Sequence, residues 1–520
     1  MKRNCLLALG LAFVLAGCGD NAGPTDTNTS PDLASQSLNA VDRYNILLKG
    51  PATAAQRGEL QRYGTIYGEI TQINAVLMRV KAGKVDAIRA LPFVAGLSQD
   101  QPRNAPPGEV VETEGFVGLD PHNVWNLDAI NITNWDGSYD GPAERLVPQN
   151  GNGVLVAVLD TGLMPFWPFY FAGKDIDVAN STSLLGGGAS DNGTVVSSPG
   201  KWQRDTDGHG THVTSIIIGF RYAAASTGGA FQIEGVAPDV TVVVVKVLNN
   251  GGGGWTSGIA QGVVYATDLT QSGGPHAGKR LVINESLGGS ELDVVEQAAL
   301  DYAIDHGAVV VAAAGNAGPD GDLTYPGAYH RVISVASAGW TGEWNTGGED
   351  SDAPNPDPTC APLPIPQDAL LPTRFWRQCD VQDPYASSNF YISDFSGRDP
   401  DGLAFENGDA FDLDVAAPGS WVVGPYGFNN GQINYAFVGG TSQATPHVTG
   451  IVALMLQKNP SLTAAQIEAC LEDAAQPLTD SDQQVIPLAG LPVETPPSWS
   501  EDRAGHGFIT ADAALSSDCF

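Results

Sequence analysis

Positive charge is scarce in this 520-residue chain: 25 Lys and Arg stand against 58 Asp and Glu, a formal net charge of −33. That balance argues against nucleic acid or an anionic membrane surface as a partner, since both are bound through clusters of cations. It reads as an acidic, solvated surface that keeps an exported protein soluble; a saline habitat would also fit. Long apolar runs are also missing, apart from Leu6–Ala16 after Lys2 and Arg3. That stretch is too short to span a bilayer comfortably and suits an export leader. No fixed-period repeat occurs, which argues against a solenoid or propeller. HExxH and CxxC pairs are absent, and His122, His276, His306, His330 and His506 are scattered without ligand spacing. A catalytic zinc therefore has no support, and metal ligands stay unassigned.

What the chain does have is glycine, proline and apolar residues: 63 Gly, 35 Pro and 42% hydrophobic positions, enough for a large core. Apolar strand-like runs alternate with helical stretches, which predicts α/β layers around a mostly parallel sheet. Three segments concentrate the chemistry. Gly440-Thr-Ser-Gln-Ala-Thr-Pro-His447 precedes the apolar run Val448–Leu456. Ser442 is thereby expected at a helix N-terminus, with Pro446 in its first turn, where free N–H groups favour an anion. A capping serine on a core helix would explain that octapeptide as well. Val154–Asp160 is a near-continuous apolar strand that ends in a carboxylate and a glycine turn. Asp207-Gly-His209-Gly-Thr-His212 opens a helical stretch expected over Thr214–Phe220. An Asp, a His and a Ser, each at an element terminus, make a base-orienter, a base and a nucleophile. His212 and His447 fall inside these segments and are expected to be structural.

The order Asp, His, Ser and the signatures VAVLDTG, DGHGTHV and GTSQATPHVTG resemble the subtilisin-like serine proteases, over roughly residues 118–516. The resemblance implies a three-layer fold, a mostly parallel central sheet flanked by helices, with a small α+β propeptide before it. It assigns Ser442 as nucleophile, His209 as general base and acid, and Asp160 as orienter. Asn316, after Val309–Gly315, becomes the side-chain donor to the oxyanion. Gly235–Pro238 with Val245–Leu248, Tyr325-Pro-Gly327, Phe395-Ser396, Asp414–Gly419 and Gly505–Thr510 fit the same family pattern. Gly253, Gly254 and Trp255 would pair with an extended peptide on one side and Ser286, Leu287 and Gly288 on the other. Trp255 would wall an apolar subsite upstream of the cleaved bond, unless it is a plain core residue. Ala313, Ala314 and Gly315 would line a primary pocket with room for a bulky apolar side chain. Two departures stand out. Glu285 replaces an apolar residue beside Ser286, and a carboxylate there must be solvated, paired or protonated. The loop after Asp160, Met164-Pro-Phe-Trp-Pro-Phe-Tyr170, lacks the carboxylate that relatives use in their tightest calcium site.

The rest of the organisation follows the same lines. Residues 1–18 resemble a lipoprotein-type leader whose Leu15-Ala-Gly-Cys18 would lipidate Cys18; an ordinary export signal is the alternative. Residues 19–40 read as a disordered tether rich in Asn, Thr, Ser, Asp and Pro. Residues 41–103 look like the inhibitory propeptide, with strands at 44–48, 75–80 and 93–100 and helices at 53–63 and 85–90. An unrelated small adhesion domain would read alike. Residues 104–120 would be a linker carrying the maturation site, and 121–520 the catalytic domain with an insertion at 341–392. Cut between about Gln99 and Gly118, a precursor anchored at Cys18 would release a soluble enzyme. Apart from Cys5 and Cys18, four cysteines remain in an oxidising compartment. Of their three pairings, Cys360–Cys379 would staple the insertion and Cys470–Cys519 would pin the tail to the helix near Gln466–Ala474.

No cofactor is needed for the chemistry. Structural calcium in oxygen-rich loops such as Arg398–Gly402 and simple solvation of those acids both remain open. The expected product is an exported, monomeric serine endopeptidase from a bacterial cell, acting on proteins or peptides and held by its own propeptide. It would touch a membrane only through the lipid. Its rivals are a catalytically silent lipid-tethered peptide binder and a transpeptidase using the same acyl-enzyme.

Overall fold

A computed structural model describes residues 43–105, 109–112, 124–134, 144–185, 196–223, 230–318, 322–340, 381, 384–397, 413–427, 433–478, 504–516 and 519–520. The leader, tether and Cys18, the segment 341–380 with Cys360 and Cys379, and the 398–402 loop lie outside the described residues.

The amino-terminal strands carry two apolar faces, and each meets a different partner. β1 (Arg43–Leu48), α1 (Ala54–Tyr63), β2 (Gly64–Ile70), β3 (Ala75–Val80), α2 (Val85–Arg89) and β4 (Val94–Gln99) form an antiparallel sheet in the order β2-β3-β1-β4. A capping box, Thr53 with Gln56, starts α1. Side chains alternate along a strand. β3 therefore sends Val76, Met78 and Val80 into a local core with Ile46, Leu48 and Leu60. Its other face, Ala75 and Leu77, joins the large core of the chain. β2 was not expected. A bulge between Ile66 and Gly68 breaks its alternation, so no period of two shows in its sequence.

Next come β5 (Pro102–Asn104) and β6 (Glu109–Glu112). The main sheet uses β7 (Val154–Asp160), β8 (Thr182–Leu185), β9 (Val196–Ser197), β10 (Thr241–Lys246), β12 (Arg280–Glu285), β13 (Val309–Ala313), β14 (Ile333–Trp340), β15 (Phe390–Ile392) and β16 (Val415–Pro418). Their order is β9-β8-β10-β7-β12-β13-β14-β15, with β16 also on β14. Pairing is parallel from β8 through β14 and onto β16, and antiparallel at β9 and β15. The last strand of the expected insertion, β15, is thus an integral edge of this sheet. β7, β10 and β13 are buried along their whole length, as continuous apolar runs in parallel sheets should be.

β7 sits between β10 and β12, with β8 to β10 placed on one side of it and β12 to β14 on the other, so the winding direction reverses there. Asp160 ends that strand, at the carboxyl edge where open α/β sheets bind ligands. α4 (Thr256–Thr270) and α5 (Val294–Asp305) pack together in one outer layer; α3 (His209–Ile218) and α6 (Thr441–Lys458) pack in the other. α3 begins and ends earlier than expected. Gly219 adopts a φ of +78°, stops the helix, and lets Phe220 enter a new strand.

The amino-terminal sheet docks on α4 and α5 through carboxylates at their first turns. Asp100 accepts from Ser257 N and Ser257 Oγ, both at 2.9 Å, at the start of α4. Asp293 accepts from Val295 N at 2.8 Å and Glu296 N at 3.1 Å, and also from Asn45 Nδ2 and Ser98 Oγ of the docked sheet. Orphan helix N–H groups and the helix dipole make these favourable seats for negative charge.

Candidate active site

β7 and the start of α3 bring Asp160 and His209 together. The imidazole Nδ1 lies 2.9 Å from Asp160 Oδ1 and 3.0 Å from Oδ2, both side chains fully buried. Gly210 permits this approach, because a Cβ there would lie 3.0 Å from Asp160 Oδ1 and 2.5 Å from Gly162 O. Burial alone would favour the neutral imidazole. The Asp160 charge and hydrogen bond, reinforced by Asp207 and Asp205, outweigh it and raise the His209 pKa above its ordinary value. Nε2 has no hydrogen-bond partner and is the atom available for proton transfer.

Behind the pair lies a support that the sequence did not reveal. Asp205 accepts from Thr161 Oγ1 at 2.8 Å and Gly208 N at 2.9 Å, and Thr161 Oγ1 accepts from Gly210 N at 2.9 Å. Lys246, in register with Asp160 on the next strand, reaches Thr161 O and stands 3.8 Å from Asp205. Desolvation lifts Asp205 to about 6, opposed by Lys246. The available signal was a lone lysine closing the apolar strand Thr241–Lys246.

Ser442 is the second residue of α6. Pro446 lies in the second turn, not the first as expected, so the carbonyl of Ser442 loses its usual i+4 donor. Ser286 supplies the replacement: its Oγ donates to Ser442 O at 2.9 Å. In return Ser442 Oγ donates to Ser286 O at 3.3 Å. Asn284 Nδ2, held by Thr449, donates to Ser286 Oγ. Ser442 Oγ thus rests on the β12 extension rather than on His209. Asn316 Oδ1 accepts from Thr441 N and Oγ1 at 2.9 and 2.8 Å, which fixes its amide beside the same helix start. Helix N–H groups, an oriented amide, a hydroxyl and an acid-backed imidazole together can support attack on a carbonyl and stabilise the oxyanion.

The peptide groove is filled by the chain itself. β5 pairs antiparallel with β11 (Gly253–Trp255), setting Gly253 against Asn104, Gly254 against Arg103 and Trp255 against Pro102. On its other side Asn104 N donates to Gly288 O at 3.0 Å, and Gly288 N donates to Asn104 O at 2.8 Å. Ala105 N donates to Gly252 O at 3.0 Å. β6 then pairs antiparallel with β17 (Tyr435–Gly439), the strand leading into Gly440 and Ser442. The segments expected to bind substrate therefore bind an extended strand by main-chain hydrogen bonds.

A profile of the subtilase family of S8 peptidases matches residues 151–491. The chain belongs to the subtilase family. It is 30% identical over 345 residues to thermitase of Thermoactinomyces vulgaris, covering 65% of this chain and 88% of that one. To subtilisin DY of Bacillus licheniformis it is 30% identical over 334 residues, with 64% and 86% covered. Fervidolysin of Fervidobacterium pennivorans superposes with a TM-score of 0.55 at 21% identity, over 91% of this chain and 60% of that one, a likeness of fold alone. This subtilase is a serine-type endopeptidase, and its substrates are proteins.

Other residues singled out in the subtilase sequence take their places around this centre. Ala313, Ala314 and Gly315 are buried, and Gly315 and Gly288 both face Thr324, whose side chain a Cβ on either glycine would strike. Leu287 is buried in the core. The half-buried Trp255 lies under the Arg43 guanidinium, 4.9 Å from its ring centroid. His212 bonds Val422 O and His447 bonds Gln443 O; burial pushes both down to about 3, so they stay neutral, as expected of structural histidines. Cys470 and Cys519 lie side by side but are not joined by the expected disulfide: each thiol is turned to the other's carbonyl, at 3.7 and 3.6 Å, instead of to its sulfur. The loop from Thr161 to Tyr170 offers no carboxylate, which makes it a poor seat for a hard cation. Among the described residues, Asp414, Glu468 and Glu472 bring carboxylate oxygens within 4.8 Å of one another.

Proposed function

We propose that this subtilase is made as a self-inhibited precursor and hydrolyses proteins through an acyl-enzyme on Ser442. Ser442 Oγ attacks the scissile carbonyl and passes its proton to His209 Nε2. Asp160 stabilises the resulting imidazolium, and Asn316 with the Ser442 N–H receives the oxyanion. The imidazolium protonates the leaving amine; water, activated by the same Nε2, then cleaves the ester and regenerates Ser442.

One observation carries the precursor reading. β5 pairs with β11 and with Gly288, two residues beyond the Ser286 that bonds Ser442, and β6 sets Glu109 against Gly439, two residues before the helix start, so Ala105 and Glu109 both end beside the nucleophile's elements. Self-cleavage between them separates residues 43–105, the propeptide, from the enzyme. With an exported precursor lipidated at Cys18, that cut frees the active form from the membrane.

Intact mass and amino-terminal residue of the product test this. Wild type yields a form beginning between residues 106 and 109 and soluble activity, while Ser442→Ala stays uncut with the membrane fraction. Wild-type activity that remains full-length and sediments with membranes would refute it.

A further inference from the structure

Glu285 is the residue that fits the apolar groove of a subtilase least well. It ends β12 one residue before Ser286, is fully buried, and neither carboxylate oxygen has a hydrogen-bond partner. Glu296, in the first turn of α5, is equally buried. Between the main-chain partners of the groove, the side chain of Arg103 enters this acidic recess and is itself fully buried. Its Nε donates to Glu296 Oε1 at 2.9 Å and its Nη2 pairs with Glu296 Oε2. Nη2 also donates to Glu291 O at 2.7 Å. The fork therefore meets one carboxylate with two parallel bonds, a geometry that arginine satisfies and lysine does not. Gly289 makes the entrance: a Cβ there would stand 2.5 Å from Arg103 Nη1 and 2.7 Å from Pro102 O.

Arg103 arrives on the strand that occupies the groove, whereas the glycine entrance and the two buried carboxylates, Glu285 and Glu296, belong to the part that does the cleaving. When residues 43–105 depart, the recess keeps its acids and loses its cation. We infer that this recess is a specificity subsite: the mature enzyme selects protein substrates with an arginine at the upstream position that Arg103 occupies in the precursor. The inference rests on the endopeptidase reading above and names the substrate class of that same groove. Desolvation lifts Glu285 to about 8, with Glu296 adding to the rise and Arg103 opposing it, as expected of an acid that needs a nearby cation to ionise. The strand's main-chain bonds give affinity without sequence preference, and the recess adds the choice of side chain. Selectivity at this position is independent of the primary pocket beside Ala313–Gly315, which still suits an apolar residue.

The test is digestion of a mixed peptide library by the enzyme as secreted, with every cut site read by mass spectrometry. Casein hydrolysis by wild type and by Ser442→Ala runs alongside. Arginine should be enriched at one fixed upstream position, with lysine weaker and acids excluded. Matched peptides carrying Arg or norleucine there should differ in kcat/KM on the order of 100-fold, the usual scale for a buried charged pair. Glu296→Gln should collapse that ratio towards unity. If that variant does not fold, Glu285→Gln and the wild-type library still decide. Cleavage with no basic preference upstream, or with an apolar one at that position, overturns the inference and leaves the peptidase intact. No Ser442-dependent casein hydrolysis by wild type overturns both.

Discussion

Two buried acid–base pairs serve this groove, Asp160–His209 and Glu296–Arg103, and they differ in how permanent their partners are. Asp160 and His209 both belong to the main α/β unit, and Asp160 also accepts from Thr161 N at 2.6 Å. Glu296 and Arg103 are just as buried, but Arg103 is delivered by β5, which our account removes at maturation. The first pair orients a base for every turnover; the second holds a guest. Burying an ion pair stabilises little on balance, and breaking one exposes an uncompensated charge. A fixed pair therefore suits catalysis, and an exchangeable one suits inhibition and selection.

The sharpest way to break this contrast is at the fixed pair. Ser442→Ala should lower casein turnover on the order of 10⁶-fold, and Asp160→Asn on the order of 10⁴-fold. Steady-state kinetics that showed only a tenfold loss for Asp160→Asn would make the two pairs alike. Next in size is Asn316→Ala, expected to reduce kcat on the order of 100- to 1000-fold with KM little changed.

The exchangeable pair should show itself in the precursor. In full-length Ser442→Ala, adding Arg103→Ala leaves Glu296 buried without its cation, a loss of about 3 kcal/mol. Amide hydrogen exchange in β1 and β3 reads it as faster opening of the docked sheet; unchanged protection would mean that Arg103 does not hold it.

Dependence on pH separates the pairs further. His209 is raised above its ordinary 6.5, so kcat/KM should climb through an apparent pKa above that value as Nε2 becomes a free base. Glu285, at about 8 when folded against 4.5 ordinarily, keeps a proton that the unfolded chain sheds. Stability should thus fall as pH rises from about 4.5 to about 8 and level off above. Denaturant midpoints of Glu285→Gln should show a shallower fall; an unchanged slope would remove Glu285 from the account.

Much of the fixed pair was legible in the sequence, and almost none of the exchangeable one. Val154–Asp160 reads as a buried parallel strand because it is apolar on both faces, and Asp160, His209 and Ser442 each mark an element terminus. Their geometry follows from local rules at β7, α3 and α6. Arg103, by contrast, stands in a three-residue strand with no periodicity, and its partner Glu296 is 193 positions away. Glu285 was visible as a misfit, but nothing local told what would neutralise it. β2 escaped because of its bulge, and the role of Pro446 because it depends on Ser286, a residue from another element.

In the resting geometry Ser442 Oγ bonds Ser286 O and His209 Nε2 waits without a partner. The account requires that this hydroxyl turn to the imidazole and react. Treatment of the secreted enzyme with a fluorophosphonate, followed by peptide mapping, tests that step directly. A single phosphonyl adduct on Ser442, lost in His209→Ala, is the predicted result. An unlabelled Ser442 in a folded wild-type enzyme, or an adduct that survives without His209, would contradict it.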